Sequence, residues 1–239
     1  MIAGAYFFMI MKKIFNYFSL SEKLLWIISI ILISSSHFIF GGDDLMTFLA
    51  SIIGVSSLIF NAKGNPIGQA LMIVFSVFYG IISYGFNYYG EMLTYLGMTA
   101  PMALFALISW LKNPYKGKRS EVKINDLSYK EVPFMIFLTL IISIAFYFVL
   151  KSFKTSNLVL STVSVFTSFL AVYLTFRRSP FFALLYALND IVLIVLWILA
   201  SIENSSYISV TVCFAVFLIN DLYGFFSWIK MRKRQTKTT

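Results

Sequence analysis

The sequence has little charge and almost no cysteine. Only 12% of its 239 residues are charged, while 59% are hydrophobic, and an average soluble domain carries about twice that charged fraction. This composition excludes a water-soluble globular protein and predicts an integral membrane protein. The single cysteine, Cys213, lies in an apolar run. It excludes an internal disulfide and a cysteine-based metal cluster.

Several motifs of known chemistry are also missing. The chain contains neither a glycine-rich phosphate-binding loop nor a zinc signature of the H-E-x-x-H type. ATP-driven transport by this chain alone is therefore not expected, and neither a metal ion nor a cofactor is predicted. The formal charge of +9 does not predict nucleic-acid binding, because apolar runs separate the bases and no single basic face forms.

Eight apolar segments are long enough to cross a bilayer, which takes about 20 residues of helix. The fold class is therefore all-α integral membrane, with about eight transmembrane helices. The chain starts at Met1 or Met11, and residues 10–19 are predicted to form a helix at the membrane surface. Among the connections between spans, only 112–131 is long and charged. The predicted spans are 23–40, 45–60, 66–84, 91–111, 132–150, 158–176, 181–201 and 207–229.

The basic residues predict the orientation of the bundle. With both termini in the cytoplasm, every Lys and Arg except Lys151 and Lys154 lies on the cytoplasmic side. This distribution is what the positive-inside rule describes for membrane proteins. The same orientation places four acids on the outer side: Asp43, Asp44, Glu91 and Glu203.

Two stretches of the chain repeat the same short motifs in the same order. Lys63-Gly64-Asn65-Pro66 precedes the third span as Arg177-Arg178-Ser179-Pro180 precedes the seventh, and Ser109-Trp110 closes the fourth span as Ser227-Trp228 closes the eighth. These matches predict two parallel three-helix repeats and place Trp110 and Trp228 as anchors at the membrane interface. The resulting units are a cytoplasmic segment 1–22, an additional helix and loop 23–44, a first repeat 45–111, a loop 112–131, a linking helix 132–157, a second repeat 158–230 and a basic tail 231–239.

Polar side chains inside the last two spans are the main clue to function. Tyr186, Asp190 and Trp197 share one helical face with Asn189 beside them, and the next span carries Asn220, Asp221 and Tyr223. An Asp at the centre of a spanning helix costs about 2.5–3.5 kcal/mol on insertion scales, so such residues indicate function. No buried base is available to pair with either acid. Each acid is then either protonated beside an Asn, or part of a wet site that binds a ligand, which can be cationic.

The aromatic neighbours favour the ligand-binding interpretation. Tyr186, Trp197 and Tyr223 offer flat faces for stacking and cation–π contact, which suits a flat, hydroxyl-bearing, cationic molecule. In the first repeat, Gln69 and Tyr95 are the candidates for the same cavity. The competing interpretation is that Asn and Asp hold helices together while Tyr and Trp anchor the membrane interface. Weaker candidates in the first repeat are Ser76, Tyr79, Tyr84, Thr94 and Thr99.

The motifs resemble those of the PnuC-type vitamin transporters, best known for nicotinamide riboside uptake in bacteria. The resemblance covers about residues 45 to 230 and departs where many relatives have Trp near position 186 and Asn near position 190. The substrate therefore stays open between nicotinamide riboside, thiamine and another nucleoside-like vitamin. The residues that carry it are Lys63 to Pro66, Asn87-Tyr88-Tyr89-Gly90-Glu91, Ser109-Trp110, Leu184-Leu185-Tyr186, Asn189-Asp190 and Asn220 to Trp228.

The resemblance implies a fold and a mode of transport. The fold is a 3+1+3 core like that of SWEET sugar carriers, assembled as a homotrimer in the bacterial inner membrane. Transport is facilitated diffusion, with the vitamin trapped by a cytosolic nucleoside kinase. The implied ligand contacts near the midplane are Tyr186, Asp190, Asp221 and Tyr223.

Two other functions stay open at this point. One is a proton-coupled carrier for a small polar or cationic aromatic solute, in which Asp190 and Asp221 relay protons. The other is an intramembrane aspartic protease with the two acids as its dyad. The protease is disfavoured because Asn precedes both acids, in place of the Tyr-Asp and Gly-x-Gly-Asp signatures of such enzymes. A receptor or scaffold is the remaining class.

Overall fold

The computed structural model describes residues 17–40, 45–85 and 88–237. Within these ranges, eight helices are long and apolar enough to cross a membrane, which confirms the predicted all-α membrane fold. The loop residues Asp43 and Asp44, and residues 10–16 of the predicted surface helix, lie outside the described residues. The helices are α1 Leu20–Phe40, α2 Leu45–Ala62, α3 Ile67–Gly85, α4 Tyr89–Lys112, α5 Glu131–Ser152, α6 Leu158–Phe176, α7 Phe182–Glu203 and α8 Ile208–Thr236.

The connection between α4 and α5 contains a short antiparallel hairpin, β1 Pro114–Tyr115 and β2 Lys118–Val122. This hairpin lies at the end of the bundle that carries most of the Lys and Arg residues, called the basic end below. There α8 runs through the predicted tail as far as Thr236. Gln235 anchors that extension, because its Nε2 donates to Val122 O at 3.0 Å and its Oε1 accepts from Ile124 N at 2.9 Å.

The two predicted repeats are joined by reciprocal hydrogen bonds from their tryptophans. Trp110 Nε1 at the end of α4 donates to Thr175 O at 2.9 Å, and Trp228 Nε1 near the end of α8 donates to Asn61 O at 2.7 Å. Each bond leads from the last helix of one repeat to the first helix of the other. The preceding serines follow the same rule: the Ser109 hydroxyl donates to Phe176 O at 2.9 Å and the Ser227 hydroxyl to Ala62 O at 2.7 Å.

The prediction that the two tryptophans anchor the membrane interface was wrong. Both Trp110 and Trp228 are 0% exposed, and their ring centroids lie 5.3 Å apart. The physical reason is that the last carbonyls of a helix have no partner within that helix. The indole N–H groups supply donors to the ends of α2 and α6.

The turns after α2 and α6 also match in backbone geometry. Gly64 has a φ of 65° and Arg178 a φ of 60°, so both turns place a residue in the left-handed region. Gly64 adopts this conformation without strain, whereas a non-glycine residue there is uncommon. The end of β2 and the loop after it connect the two turns, since Val122 N donates to Gly64 O at 2.9 Å and Asn125 N to Arg178 O at 3.1 Å.

The peripheral helices α1 and α5 occupy matching positions as well. Glu22 in the first turn of α1 pairs with Lys63 at 3.0 Å, and Glu131 in the first turn of α5 pairs with Arg177 at 2.5 Å. Lys63 and Arg177 occupy equivalent positions in the two turns. The additional helix and the linking helix are therefore held to the repeats in the same way, and each repeat is preceded by one such helix.

The start of α1 has a local cause. Ser19 and Glu22 form a capping box, in which Ser19 N donates to Glu22 Oε2 at 2.7 Å and Glu22 N to Ser19 Oγ at 3.4 Å. Such a pair satisfies free N–H groups at a helix N-terminus. The helix therefore begins at Leu20, three residues before the predicted start at Lys23.

We expect Trp110→Phe and Trp228→Phe to destabilise the protein by similar amounts. Each change keeps an aromatic ring but leaves a buried carbonyl without its donor, which costs about 1–3 kcal/mol. The measurement is thermal unfolding of the purified protein in detergent. Trp26→Phe is the control, because it frees only the half-buried Ser56 hydroxyl, which accepts from Trp26 Nε1 at 3.1 Å. A loss no larger than that of the control would contradict this account of the helix ends.

Candidate functional site

Two buried carboxyl groups meet at the contact of α7 and α8. Asp190 is 4% exposed and Asp221 is 6% exposed, and their side chains lie close enough to interact electrostatically. Two carboxylates that meet away from water repel each other, so such a pair needs a shared proton, a wet site or a bound cation.

The surroundings of Asp190 come from three helices. Tyr186 lies one turn away on α7, Tyr95 belongs to α4 and Cys213 to α8, and all three interact electrostatically with Asp190. The second carboxyl oxygen, Oδ2, has no hydrogen-bond partner in the described part of the chain. A buried polar atom without a partner is uncommon in folded proteins and calls for an explanation. A bound ligand would supply the missing partner.

Aromatic rings from both repeats surround this centre. The ring centroids of Tyr79 and Tyr95 are 4.4 Å apart, and Tyr79 lies 6.4 Å from Trp197. Trp197 in turn lies 4.9 Å from Tyr88. Burial, with the nearby Tyr207 and Glu203, raises the pKa of Tyr88 to about 12. Phenylalanines complete the cluster: Phe75, Phe214 and Phe217.

Tyr95 lies at an irregular point of α4. Residues Tyr95–Thr99 form a π-turn, in which Ala100 N donates to Tyr95 O. Pro101 directly follows and has no N–H to continue the regular pattern. π-turns of this kind frequently occur at functional sites. The turn widens α4 where Tyr95 faces Tyr79 and Asp190.

The structure brings five of the nine predicted site residues to this centre: Tyr95, Tyr186, Asp190, Trp197 and Asp221. Tyr79 belongs with them and was only a weaker candidate in the sequence. The spacing of Tyr79 could have identified it as a site residue. It lies three residues after Ser76 and four before Ser83, on the inner face of α3. Aromatic residues are so frequent in this chain that type alone did not single it out.

Two of the predicted asparagines face neighbouring helices. Asn189 Oδ1 accepts from the Thr167 hydroxyl at 2.8 Å and from the Ser164 hydroxyl at 3.2 Å, both on α6. Asn220 Nδ2 donates to Ser29 Oγ on α1 at 2.9 Å. These bonds are contacts between helices. Among the hydrogen bonds of the described residues, neither asparagine is a partner of the acid that follows it.

Gln69 and Tyr223 lie nearer the basic end. Gln69 Nε2 donates to Asn61 Oδ1 at 2.8 Å, so its amide joins the start of α3 to the end of α2. A Cβ atom at Gly68 would lie 2.2 Å from the same Asn61 oxygen, which explains the glycine there.

Tyr223 lines a cavity of about 890 Å³ between the start of α1, strand β2 and the end of α8. This cavity contains acids and bases and opens at the basic end. Tyr223 therefore faces away from the carboxyl pair although it is only two residues from Asp221. The cavity is also lined by Tyr17, Glu22, Lys63, Lys230 and Arg234.

The positive-inside pattern predicts Glu91 on the outer side of the membrane, and that assignment stays a prediction. The structure adds that Glu91 is buried, at 2% exposed, in the first turn of α4. Glu91 interacts electrostatically with Tyr79 and Tyr95 and belongs to the surroundings of the aromatic cluster.

Comparison with known proteins places the chain in a family. Residues 44–230 match the family described as nicotinamide mononucleotide transporter. A relative from Neisseria mucosa, named nicotinamide riboside transporter PnuC, is 23% identical over 90% of this chain and 83% of its own length. The protein of that name from Haemophilus influenzae is 22% identical over 89% and 91%. The crystal structure of the vitamin B3 transporter PnuC has a TM-score of 0.80 at 22% identity, covering 91% of this chain and 94% of that one.

The fold and the relatives together define the class of protein. The molecule is a multi-pass bacterial membrane transporter and not an enzyme. The chain belongs to the nicotinamide mononucleotide transporter family, and the resemblance to PnuC-type transporters drawn from the sequence is confirmed.

Asn189 and Asp190 are adjacent, and we expect them to respond in opposite ways to substitution. Asn189→Leu removes the acceptor of two hydroxyl groups on α6 and should lower stability by about 0.6–2 kcal/mol. Asp190→Asn should leave stability unchanged or higher, because the amide can donate to Asp221 without a shared proton. Thermal unfolding of the ligand-free variants in detergent at pH 8 measures both effects. Equal losses in the two variants would show that Asp190 also serves only to hold helices together.

Proposed function

We propose that the protein takes up nicotinamide riboside, or a closely related cationic nucleoside, by facilitated diffusion across the bacterial inner membrane. The observation that carries the proposal is the buried pair Asp190–Asp221 beside Tyr95, Tyr186 and the aromatic cluster. The pyridinium ring of the riboside is flat and positively charged. Carboxyl groups and aromatic faces together attract such a cation, and buried hydroxyl groups suit its ribose.

Charge favours the riboside over the mononucleotide. The mononucleotide adds a phosphate group, which is an anion at neutral pH, and proteins usually bind phosphate with Arg or Lys. The spanning helices have no Arg or Lys away from their ends. A phosphate beside Asp190 and Asp221 would meet like charges, and such repulsion excludes a wrong ligand as effectively as attraction selects the right one.

Facilitated diffusion accumulates the vitamin only if the imported molecule is chemically converted inside the cell. We infer that the vitamin is trapped by phosphorylation by a cytosolic nucleoside kinase, since the phosphorylated product would carry the charge that this site disfavours. Both termini lie in the cytoplasm in this proposal, because the basic end then faces the side that the positive-inside rule assigns to it. The cavity lined by Tyr223 becomes the cytoplasmic exit.

The resemblance to PnuC-type transporters also supports a homotrimer. Helix α5 packs mainly against α6 and exposes Phe137, Ile144 and Phe148. We infer that part of this exposed face is covered in a trimer. Native mass spectrometry of the purified protein should return three chains, and a monomer under mild detergent conditions would contradict the assembly.

Reconstituted protein should carry labelled nicotinamide riboside into liposomes in a saturable manner. We expect Asp190→Asn to raise the apparent KM at least about tenfold, which corresponds to about 1.4 kcal/mol of lost interaction. Asp126→Asn removes an exposed carboxylate at the basic end and should leave uptake unchanged. Unlabelled riboside should compete, and the mononucleotide should not. Absence of uptake by the unmodified protein would refute the proposal, and equal competition by the mononucleotide would refute the charge argument.

A proton-coupled carrier is the second candidate, favoured by the proximity of the buried acids Asp190 and Asp221. A shared proton is a group that an ion-coupled carrier can release. For facilitated diffusion, we expect an imposed pH gradient to leave the final internal concentration of riboside equal to the external one. Accumulation above the external concentration, abolished by Asp221→Asn, would replace facilitated diffusion by proton coupling.

A further inference from the structure

Glu91 is a buried acid that the central site does not use. It lies in the first turn of α4 and is 2% exposed, and its Oε2 has no hydrogen-bond partner among the residues described. The ion pairs of the described chain do not include it. Buried carboxyl groups normally have such partners. An acid that lacks them, at the end of the bundle opposite the basic end, is a candidate for ligand contact.

The neighbours of Glu91 connect it to the central site. Tyr79 and Tyr95 interact electrostatically with Glu91, and Tyr95 also interacts with Asp190. Tyr95 follows Glu91 by four residues along α4, which is about one helical turn. The Tyr79–Tyr95 pair therefore lies between the two acids. Glu91 is on the side farther from the basic end, and Asp190 is on the side nearer the membrane centre.

Helix α3 supplies polar atoms on the same route. Ser83 and Ser76 lie about one turn from Tyr79 on either side, both are 0% exposed, and both hydroxyl groups lack a partner in the described residues. Spacings of three, four and seven residues place all three side chains on one helical face. Hydroxyl groups left without partners in this way suit a solute that has hydroxyl groups of its own.

We propose that Glu91 and Ser83 form a second, outer subsite, which binds the cationic nucleoside before it passes the Tyr79–Tyr95 pair and reaches Asp190. The inference rests on the proposed function and adds a binding step to it. The Glu91 carboxylate attracts the cationic ring, Tyr79 and Tyr95 present their faces to it, and the Ser83 hydroxyl bonds the ribose. Positive charge contributes most to binding at this subsite, and the sugar contributes less.

The test compares two probes that differ in charge and share the sugar. Nicotinamide riboside is a cation, and its 1,4-dihydro form is neutral with nearly the same shape. In proteoliposomes, Glu91→Gln should raise the apparent KM of the cation about fivefold or more, and that of the neutral probe by less than about twofold. Glu91→Asp keeps the charge and should fall between the parent protein and Glu91→Gln. Asp126→Asn, at an exposed acid of the basic end, should change neither value.

Each outcome of this experiment decides something. An unchanged KM for both probes, or equal rises for both, would overturn the outer subsite, since the first indicates a packing role and the second a general distortion. If Glu91→Gln does not fold, as judged by thermal unfolding in detergent, Ser83→Ala replaces it and should raise the KM of both probes, because both carry ribose. Failure of the unmodified protein to carry either probe would instead refute the proposed function.

Discussion

The bundle depends on satisfying the backbone carbonyls where α2 and α6 end. Hydrocarbon offers no hydrogen-bond donors, so these groups need protein partners. Trp228 and Ser227 provide them for α2, and Trp110 and Ser109 for α6. Because each repeat caps the other, neither has a satisfied basic end alone. The end of β2, the loop after it and the end of α8 then close over the same turns.

Several buried polar atoms in the rest of the bundle lack such partners among the described residues. Asp190, Ser76, Ser83 and Glu91 all keep a buried polar atom without a partner, in a medium where such atoms are expensive. Under the proposed function, the substrate supplies hydrogen bonds to these atoms. Tyr79 and Tyr95 lie near Glu91, and Tyr95 also lies near Asp190. A low-dielectric environment of this kind strengthens the attraction between a carboxylate and a cation.

Sequence patterns predicted the helices well, because helix number followed from hydropathy. Motif spacing indicated the repeat, and the cost of a charge in lipid singled out Asp190 and Asp221, whose functional role stays a prediction. The direction of each side chain did not follow. Asn189 and Asp190 are adjacent in sequence, yet one bonds α6 and the other meets α8. Trp228 was placed at the interface because tryptophan is common there, but a carbonyl 167 positions away in the chain holds it inside.

The sequence by itself determined that this is a bundle of about eight membrane helices, built twice on one plan, with two acids that lipid does not tolerate without compensation. Those features depend on composition and on local periodicity, which are properties of short stretches. Only the tertiary structure decided which polar groups meet. The pairing of Asp190 with Asp221, the contact of Tyr79 with Tyr95 and the burial of Glu91 each join separate helices. Their contacts depend on how the helices rotate and pack, and one sequence read in isolation does not fix that rotation.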